Sequence, residues 1–192
     1  MTELERYLNG LTGHSSFLDS AIRFAASDLI AVTVPALLIL WFLPGQSLSR
    51  ARRQRIVAAA ILGMGLSLVL GALLGHFYVV SRPFVVDPDV HPLISHSPDA
   101  SFPSDHALAA FALAGALLRW QTSGGVIALA LACAVSFARV VAGLHWPTDV
   151  IAGAFIGIVG GYASAAASDL LIGPQRLLAG LLPQWVVSKP SD

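Results

Sequence analysis

The stretch IVAAAILGMGLSLVLGALLGHFYVVS, residues 56–81, contains no aspartate, glutamate, lysine or arginine and decides the fold class. A helix needs about 20 mostly apolar residues to cross the hydrocarbon core of a bilayer. Apolar and polar residues do not alternate along this stretch, as they do in the strands of an outer-membrane barrel. We therefore expect a membrane-spanning helix here.

The composition of the whole chain supports an integral membrane protein. Of its 192 residues, 56% are hydrophobic and 11% are charged, whereas ordinary soluble domains are roughly 25% charged. The 11 basic residues balance the 11 acidic ones, which argues against a nucleic-acid partner. A single cysteine, Cys133, excludes a disulfide framework and a cysteine-rich zinc site. The length favours one domain, residues 1–192.

Four further stretches have the character of membrane spans, and they cover residues 24–43, 107–118, 120–138 and 150–168. With residues 56–81 they predict an all-α fold, a polytopic transmembrane helix bundle with five membrane helices. Residues 174–187 carry leucines at helical spacing and form either an interfacial helix or a sixth, shorter membrane element. Gly157, Gly160 and Gly161 would let neighbouring helices approach closely.

The N-terminal residues 1–23 lack the continuous apolar core of a signal peptide. We expect an amphipathic helix or a pair of short helices at the membrane interface. Basic residues are enriched in cytoplasmic loops, and the connection after the first span carries four arginines: Arg50, Arg52, Arg53 and Arg55. This orientation places residues 82–105 and the connection around His145 on the external side, together with the N-terminus.

Polar residues gather at this external rim in three clusters. They are SRPF at residues 81–84, FPSDH at residues 102–106 and ARVVAGLHWPTD at residues 138–149. Charged groups near bilayer depth are costly and usually functional. The alternative is a polar loop that only solvates the end of the bundle.

The side chains in these clusters suit a phosphate site. Arg82 and Arg139 carry planar forks of donors that match phosphate oxygens. Ser104 follows Pro103 at the start of a predicted helix, where unpaired backbone N–H groups and the helix dipole attract an anion.

Two histidines add the groups that phosphate chemistry needs. If residues 145–149 are helical, His145 and Asp149 lie one turn apart, and the carboxylate holds one imidazole nitrogen. The other nitrogen is then presented as a nucleophile or base, and His106 is placed in sequence to act as a general acid. Each signal is weak alone, since a histidine in a helix bundle is more often structural. All three clusters in order are far more specific.

The three clusters together resemble the type 2 phosphatidic acid phosphatase superfamily, which includes membrane lipid phosphatases and, more distantly, vanadium haloperoxidases. The family pattern is matched at Arg82-Pro83, at Pro103-Ser104-Asp105-His106, and at Arg139, His145 and Asp149. Within the superfamily the chain is most similar to bacitracin-resistance-type undecaprenyl-diphosphatases. That likeness is carried by RPFV at 82–85, HPLISHSPDASFPSDH at 91–106, GLHWPTDVIAG at 143–153 and NGLTGHSSFLDS at 9–20.

Three positions depart from the family pattern. Gly75 stands where the family has a lysine, seven residues before Arg82, and the neighbouring His76 is a partial substitute at best. Asp105 replaces the glycine of the second motif, as the diphosphatase subgroup leads us to expect. Ala138 replaces the serine before Arg139, which removes a supporting hydroxyl.

The resemblance implies a role for each matched residue. His145 attacks the terminal phosphorus and forms a phosphohistidine, Asp149 orients its imidazole, and His106 protonates the leaving oxygen and then activates water. The implied substrate-binding residues are Arg82, Pro83, Ser104, Asp105 and Arg139. Because arginines carry the charge that Mg²⁺ carries elsewhere, the scheme needs no metal or cofactor.

The implied activity is hydrolysis of undecaprenyl diphosphate to undecaprenyl phosphate and inorganic phosphate, which recycles the cell-wall carrier lipid. The implied location is the bacterial inner membrane, as a multi-pass protein with its site on the external, periplasmic face. The alternatives are a phosphatase of phosphatidic acid or phosphatidylglycerol phosphate, and a non-catalytic lipid transporter or assembly factor.

Several other polar residues also carry expectations. His91 and His96 either touch the substrate or are plain loop residues, and Asp28 and Asp169 have little catalytic role. The acids Asp87, Asp89 and Asp99 should pair with arginines or cap helices, because an anionic head group repels them.

Overall fold

The computed structural model describes residues 2–42, 49–120 and 123–168. The helices in these ranges are α1 (Thr2–Asn9), α2 (Ser16–Arg23), a π-helical turn (Phe24–Asp28), α3 (Thr33–Phe42), α4 (Arg50–Phe77), α5 (Pro83–Val86), α6 (Asp105–Arg119), α7 (Ser123–Val141) and α8 (Pro147–Ala166). The described residues contain no β-strand, which confirms the all-α prediction. The proposed sixth element at residues 174–187 and Asp169 lie outside the described residues.

Helix α6 is the centre of the bundle. All of residues 107–116 are buried, and α6 packs against α4, α7 and above all α8. This contact is close because glycines meet backbone: a Cβ atom on Gly157 or Gly161 would collide with the backbone of α6 at Leu108 and Ala112. The predicted close approach at these glycines is therefore confirmed.

Within residues 2–42, 49–120 and 123–168, three helices are long and apolar enough to cross a bilayer, namely α4, α7 and α8. A fourth span is possible if residues Ser16–Asp28 and Thr33–Phe42, which meet at a bend of 57°, form one bent element. Helix α6 has 15 residues and is about 22 Å long, shorter than the roughly 30 Å hydrocarbon core. The predicted count of five to six membrane helices is thus not confirmed.

The first predicted span, residues 24–43, is broken near its middle. Pro35 has no N–H group, so it fits only in the first turn of a helix, which here is the first turn of α3. Upstream, the backbone makes short turns, with the N–H of Ala31 donating to Asp28 O (2.9 Å) and that of Thr33 to Ile30 O (3.0 Å). The proline therefore divides the expected straight helix into two pieces.

The boundaries of two other spans differ from the prediction in a way that shapes the site. Helix α7 does not stop at residue 138 but continues through Arg139 to Val141, and α8 begins at Pro147 rather than at residue 150. Arg139 therefore lies on the last turn of one helix, and Asp149 on the first turn of the next.

The N-terminal residues form two short helices, as predicted, and α1 docks onto the end of the bundle that carries the three clusters. The Asn9 side chain donates to His91 O (2.9 Å) and Val141 O (3.1 Å), and its Oδ1 accepts from the His91 N–H (2.9 Å). Gly143 allows this approach: its φ is +71°, and a Cβ atom there would lie 3.0 Å from Asn9 Nδ2.

Candidate active site

His145 lies on the short connection between α7 and α8, and it is 3% exposed. Its Nδ1 atom is 2.9 Å from Ser101 O, and its Nε2 atom is 2.9 Å from Arg139 Nη2 and 3.2 Å from Arg82 Nη1. A carbonyl oxygen only accepts and a guanidinium group only donates. The Nδ1 atom therefore carries the proton, and the Nε2 lone pair points between the two arginines.

The surroundings keep this imidazole neutral. Burial is the main cause that lowers the pKa of His145, to about 4; Asp149 acts in the opposite direction, and the charges of Arg139 and Arg82 add to the lowering. A histidine with this pKa is uncharged near pH 7, so Nε2 keeps the lone pair that a nucleophile needs.

Backbone carbonyl groups hold the first of the two arginines. Arg82 donates from Nη1 to Leu144 O (2.9 Å) and from Nη2 to Ala100 O (3.3 Å), and its Nε donates to Asp99 Oδ1 (2.8 Å). The proline that follows favours an extended backbone at Arg82, which has φ −67° and ψ 153° at the N-cap of α5. Pro83 has no polar side-chain group and contributes to the site by directing Arg82.

The second arginine comes from the last turn of α7. Arg139 donates from Nη1 to Ala26 O (3.3 Å), and its Nη2 lies 3.4 Å from His96 Nε2. Its Nε is buried without a hydrogen-bond partner among the described residues. The two guanidinium groups are therefore fixed on either side of one imidazole nitrogen.

The second motif forms the N-terminus of α6. Ser104 is the N-cap residue and is fully buried, and its Oγ has no hydrogen-bond partner among the described residues. Asp105 is exposed, whereas His106 is half-buried, close enough for the charges of Arg139 and Arg82 to act on it. A serine hydroxyl and the first N–H groups of a helix here face the same end of the bundle as His145.

The expectation that His145 and Asp149 share a helix is wrong, because α8 begins only after His145. Asp149 Oδ2 accepts a hydrogen bond from the Trp146 N–H (2.9 Å), as the cap of α8, and lies 3.6 Å from His145 Nδ1. The Ser101 carbonyl is the closer acceptor. The carboxyl group of Asp149 therefore faces the imidazole without being its main hydrogen-bond acceptor. The backbone carbonyl of Ser101 fixes the orientation of the imidazole ring.

The other acidic residues behave as expected. Arg6 binds Asp87 (2.8 Å) and Asp89 (3.3 Å), and the hydrogen bond from Arg6 holds the pKa of Asp87 below its ordinary value. Asp99 binds Arg82. Burial raises the pKa of Asp99, but the bond and charge of Arg82 outweigh it, so that the pKa is lowered.

The structure also separates the candidate histidines. His96 lies beside Arg139 and 3.8 Å from Asp99, so it belongs to the cluster. His91 is exposed, and the contacts it makes with Asn9 use its backbone. His76 is exposed too, and its ring packs edge-on against Phe77 at 5.5 Å.

At Gly75, where the family has a lysine, the backbone of Phe102 occupies the space that a side chain would need. A Cβ atom on Gly75 would lie 2.8 Å from Phe102 O, which is closer than real Cβ contacts allow. The loop that leads to the second motif thus packs directly on α4 at this point. The glycine is a packing requirement of this chain.

An apolar cavity of about 720 Å³ lies next to the cluster. Its walls come from the end of α4, the residues before α5, and the start of α8, and they include Leu74, Tyr78, Val80, Phe102, Trp146 and Asp149. The Trp146 indole donates to Ser81 O (2.9 Å). An apolar chain in this cavity would place its polar end beside Asp149.

Some residues of this arrangement were not predicted. Ser101 contributes a backbone carbonyl, which no side-chain motif can reveal, and Glu5 is a fully buried acid in a helix that was expected at the interface. Among the described residues, no group of three or more histidine, cysteine, aspartate or glutamate side chains could hold a metal ion.

The fold and the site together describe an all-helical protein with apolar candidate membrane spans and a buried histidine between two arginines. Residues 56–171 match the model of the PAP2 superfamily, and the chain belongs to that family of phosphatases. It is 34% identical over 169 residues to the undecaprenyl-diphosphatase BcrC of Bacillus subtilis (strain 168), covering 88% of this chain and 84% of that protein.

Two solved structures share the architecture. The crystal structure of Aquifex aeolicus LpxE superposes with a TM-score of 0.70 at 30% identity, over 85% of this chain and 93% of that one. A transmembrane PAP2-type phosphatidylglycerolphosphate phosphatase from Bacillus subtilis gives a TM-score of 0.61 at 19% identity, over 88% and 86%. The second likeness concerns the fold alone.

Proposed function

We propose that this chain removes the distal phosphate of undecaprenyl diphosphate, leaving undecaprenyl phosphate and inorganic phosphate. One observation carries the chemistry: the donors of Arg82 and Arg139 converge on Nε2 of His145, whose proton is held on Nδ1 by the Ser101 carbonyl. The name and identity of the Bacillus subtilis relative support the choice of substrate.

In the first half-reaction, oxygens of the distal phosphate replace Nε2 as acceptors for the two guanidinium groups and release its lone pair. Nε2 of His145 then attacks the distal phosphorus, and the bond from phosphorus to the bridging oxygen breaks. Undecaprenyl phosphate leaves with that electron pair as a phosphate monoester anion, and the neutral imidazole of His106 donates a hydrogen bond to the leaving oxygen. The cationic phosphohistidine keeps its proton on Nδ1, which donates a hydrogen bond to Ser101 O. The ring faces the carboxylate of Asp149.

In the second half-reaction, His106 accepts a proton from water, and the water oxygen attacks the phosphorus. The nitrogen–phosphorus bond breaks, its electron pair returns to Nε2, inorganic phosphate leaves, and His106 releases the proton taken from water to the solvent. The two arginines and the first N–H groups of α6 stabilise charge on the phosphoryl oxygens in both steps. Positioning and charge stabilisation are the main requirements of phosphoryl transfer.

The cavity and the charge distribution support a membrane lipid as substrate. The first isoprene units fit the apolar cavity, and the diphosphate extends from there past Asp149 to the arginines. The basic start of α4 and the site lie at opposite ends of a helix of 28 residues, about 42 Å long. With the arginines on the cytoplasmic side, the site opens at the outer face of the bacterial cytoplasmic membrane.

The test is trapping of the intermediate with undecaprenyl diphosphate labelled in its distal phosphate. We expect an acid-labile, alkali-stable phosphoenzyme in wild-type protein, none in His145→Ala, and accumulation in His106→Ala, because the phosphate monoester leaves readily whereas water needs a base. A His145→Ala variant with near wild-type turnover would overturn the mechanism. Faster phosphate release from phosphatidic acid or phosphatidylglycerol phosphate would overturn the substrate.

A further inference from the structure

Glu5 is a buried acid that the proposed reaction does not use. Its side chain on α1 has 0% exposure, and neither carboxyl oxygen has a hydrogen-bond partner among the described residues. Burial of an unpaired carboxylate is costly, so such a group keeps its proton. Glu5 is therefore a neutral carboxylic acid with an O–H donor.

The acidic groups around Glu5 act in the same direction. Burial, the charge of Asp149 on α8 and the charge of Asp87 after α5, in that order, raise the pKa of Glu5 to about 8. The raised pKa keeps the proton on Glu5 at neutral pH.

The neighbouring cations are occupied elsewhere. On its own helix, Arg6 is bound by Asp87 and Asp89. On α7, which packs against α1, Arg139 is directed to the His145 imidazole (2.9 Å). Neither guanidinium group forms an ion pair with Glu5.

Helix α1 cannot easily turn Glu5 outward, since contacts hold it on both sides of that residue. Arg6 binds Asp87 through two hydrogen bonds (2.8 and 3.1 Å). One turn later, Asn9 exchanges hydrogen bonds with the His91 backbone and donates to Val141 O. Glu5 is thereby held against the end of the bundle that carries His145.

Like the two carboxyl oxygens of Glu5, one carboxyl oxygen of Asp149 is unpaired among the described residues. Its Oδ2 atom accepts the Trp146 N–H, whereas its Oδ1 atom is buried with no hydrogen-bond partner among the described residues. We propose that Glu5 is a positioning residue of the phosphatase site: its buried, neutral carboxyl group packs α1 onto the end of the bundle that carries His145 and adds no second negative charge near Asp149, which stays the carboxylate that faces His145. This inference rests on the proposed function.

Ionisation of Glu5 would disturb that arrangement. A second negative charge beside Asp149 strengthens the attraction of His145 for a proton and repels the phosphoryl oxygens. Phosphate release should therefore fall as the pH rises through about 8. A neutral side chain at residue 5 should not show this loss.

The experiment compares pH profiles of kcat for wild type, Glu5→Gln and Glu5→Ala in detergent, with Glu3→Gln as the control because Glu3 is exposed on the same helix. We expect Glu5→Ala to lower kcat at pH 7 by about tenfold or more, as misplaced groups do, and Glu5→Gln to restore most of it. Between pH 7 and 9, activity should drop about tenfold in wild type and Glu3→Gln, following a pKa near 8, but less than twofold in Glu5→Gln.

A second readout does not depend on catalysis. The folded-state pKa of Glu5 lies above its model value of 4.5, so the folded protein binds the extra proton and loses stability as the pH rises from about 4.5 to about 8. The thermal midpoint of Glu5→Gln should therefore rise relative to that of wild type between pH 5 and pH 9.

The outcomes separate the two proposals. Active wild type whose profile coincides with that of Glu5→Gln overturns the role of Glu5 and leaves the proposed function intact, even if the unfolding shift is found. Wild type that releases no phosphate from any lipid at any pH overturns both.

Discussion

The Nδ1 atom of His145 lies 2.9 Å from the backbone carbonyl oxygen of Ser101, which therefore accepts the imidazole proton. Asp149 lies farther away, at 3.6 Å, and its Oδ2 atom is engaged with the Trp146 N–H. The tautomer of the proposed nucleophile is thus set by backbone. The aspartate supplies charge and the cap of α8.

This division of roles predicts the effect of Asp149→Asn. In the Ser-His-Asp triad, where an aspartate itself accepts the imidazole proton, the corresponding change lowers kcat about 10⁴-fold. Here the Ser101 carbonyl keeps the tautomer, so we expect a smaller loss, about 10–100-fold, as for orienting groups elsewhere. Steady-state phosphate release measures it. A loss as complete as that of His145→Ala would show that the carboxylate is the true proton acceptor.

On the acidic side of the pH profile, the rate should fall only at an unusually low pH. Because burial and two arginines lower the pKa of His145 to about 4, Nε2 stays unprotonated far below the ordinary histidine value near 6.5. The rate of phosphoenzyme formation in His106→Ala isolates this group, and we expect it to be half-maximal near pH 4. A midpoint near 6.5 would contradict the neutral, arginine-bound imidazole.

Restoring the family's lysine should not help this chain. A side chain at residue 75 meets the carbonyl oxygen of Phe102, which leads directly to the second motif. We expect Gly75→Lys to lower kcat/KM by displacing that segment, with Gly65→Ala on the same helix as the control, because nothing lies within 4 Å of a Cβ atom there. A rise in kcat/KM would show that the site lacks a cation.

The contact between α6 and α8 should dominate stability. A methyl group on Gly161 would collide with the backbone at Ala112, and overpacking of this kind costs about 1–3 kcal/mol. Gly161→Ala should therefore lower the thermal midpoint in detergent, whereas Gly65→Ala should not. Equal thermal midpoints for the two variants would contradict the prediction, because they would show that α6 and α8 accommodate the methyl group without loss of stability.

Chelation should leave the reaction intact. Arg82 and Arg139 already place two positive charges beside Nε2 of His145, and on the proposed mechanism they perform the task that Mg²⁺ performs in other phosphotransferases. We expect phosphate release to persist after dialysis against EDTA. Complete loss, restored by one particular metal, would indicate a different chemistry.

Side-chain chemistry with fixed spacing made the centre of the site predictable. Arg82, Arg139 and His145 each stand in a short motif next to a helix end, so their meeting follows from antiparallel apolar helices alone. Helix α8 and the all-α class were predictable from the long uncharged, apolar stretches. Asp149 lies 3.6 Å from Nδ1 of His145, but the start of α8 at Pro147, and hence the capping role of Asp149, was not predicted.

The features that sequence could not provide depend on the backbone and on long-range packing. The Ser101 carbonyl belongs to a loop without a side-chain signature, and the burial of Glu5 depends on contacts of α1 with residues more than 80 positions away. The break before α3 had a local signal in Pro35. The long apolar run of residues 24–43 concealed it.

The apolar cavity beside Asp149 determines how the rate scales with the amount of substrate. A lipid that keeps its tail in the bilayer reaches this cavity by lateral diffusion, so its mole fraction among the surrounding lipids, not its molarity in the suspension, sets the encounter rate. If the proposed function holds, diluting it with inert detergent at constant bulk concentration should slow hydrolysis. Single-chain amphiphiles that fit the cavity of about 720 Å³ should then compete with the substrate.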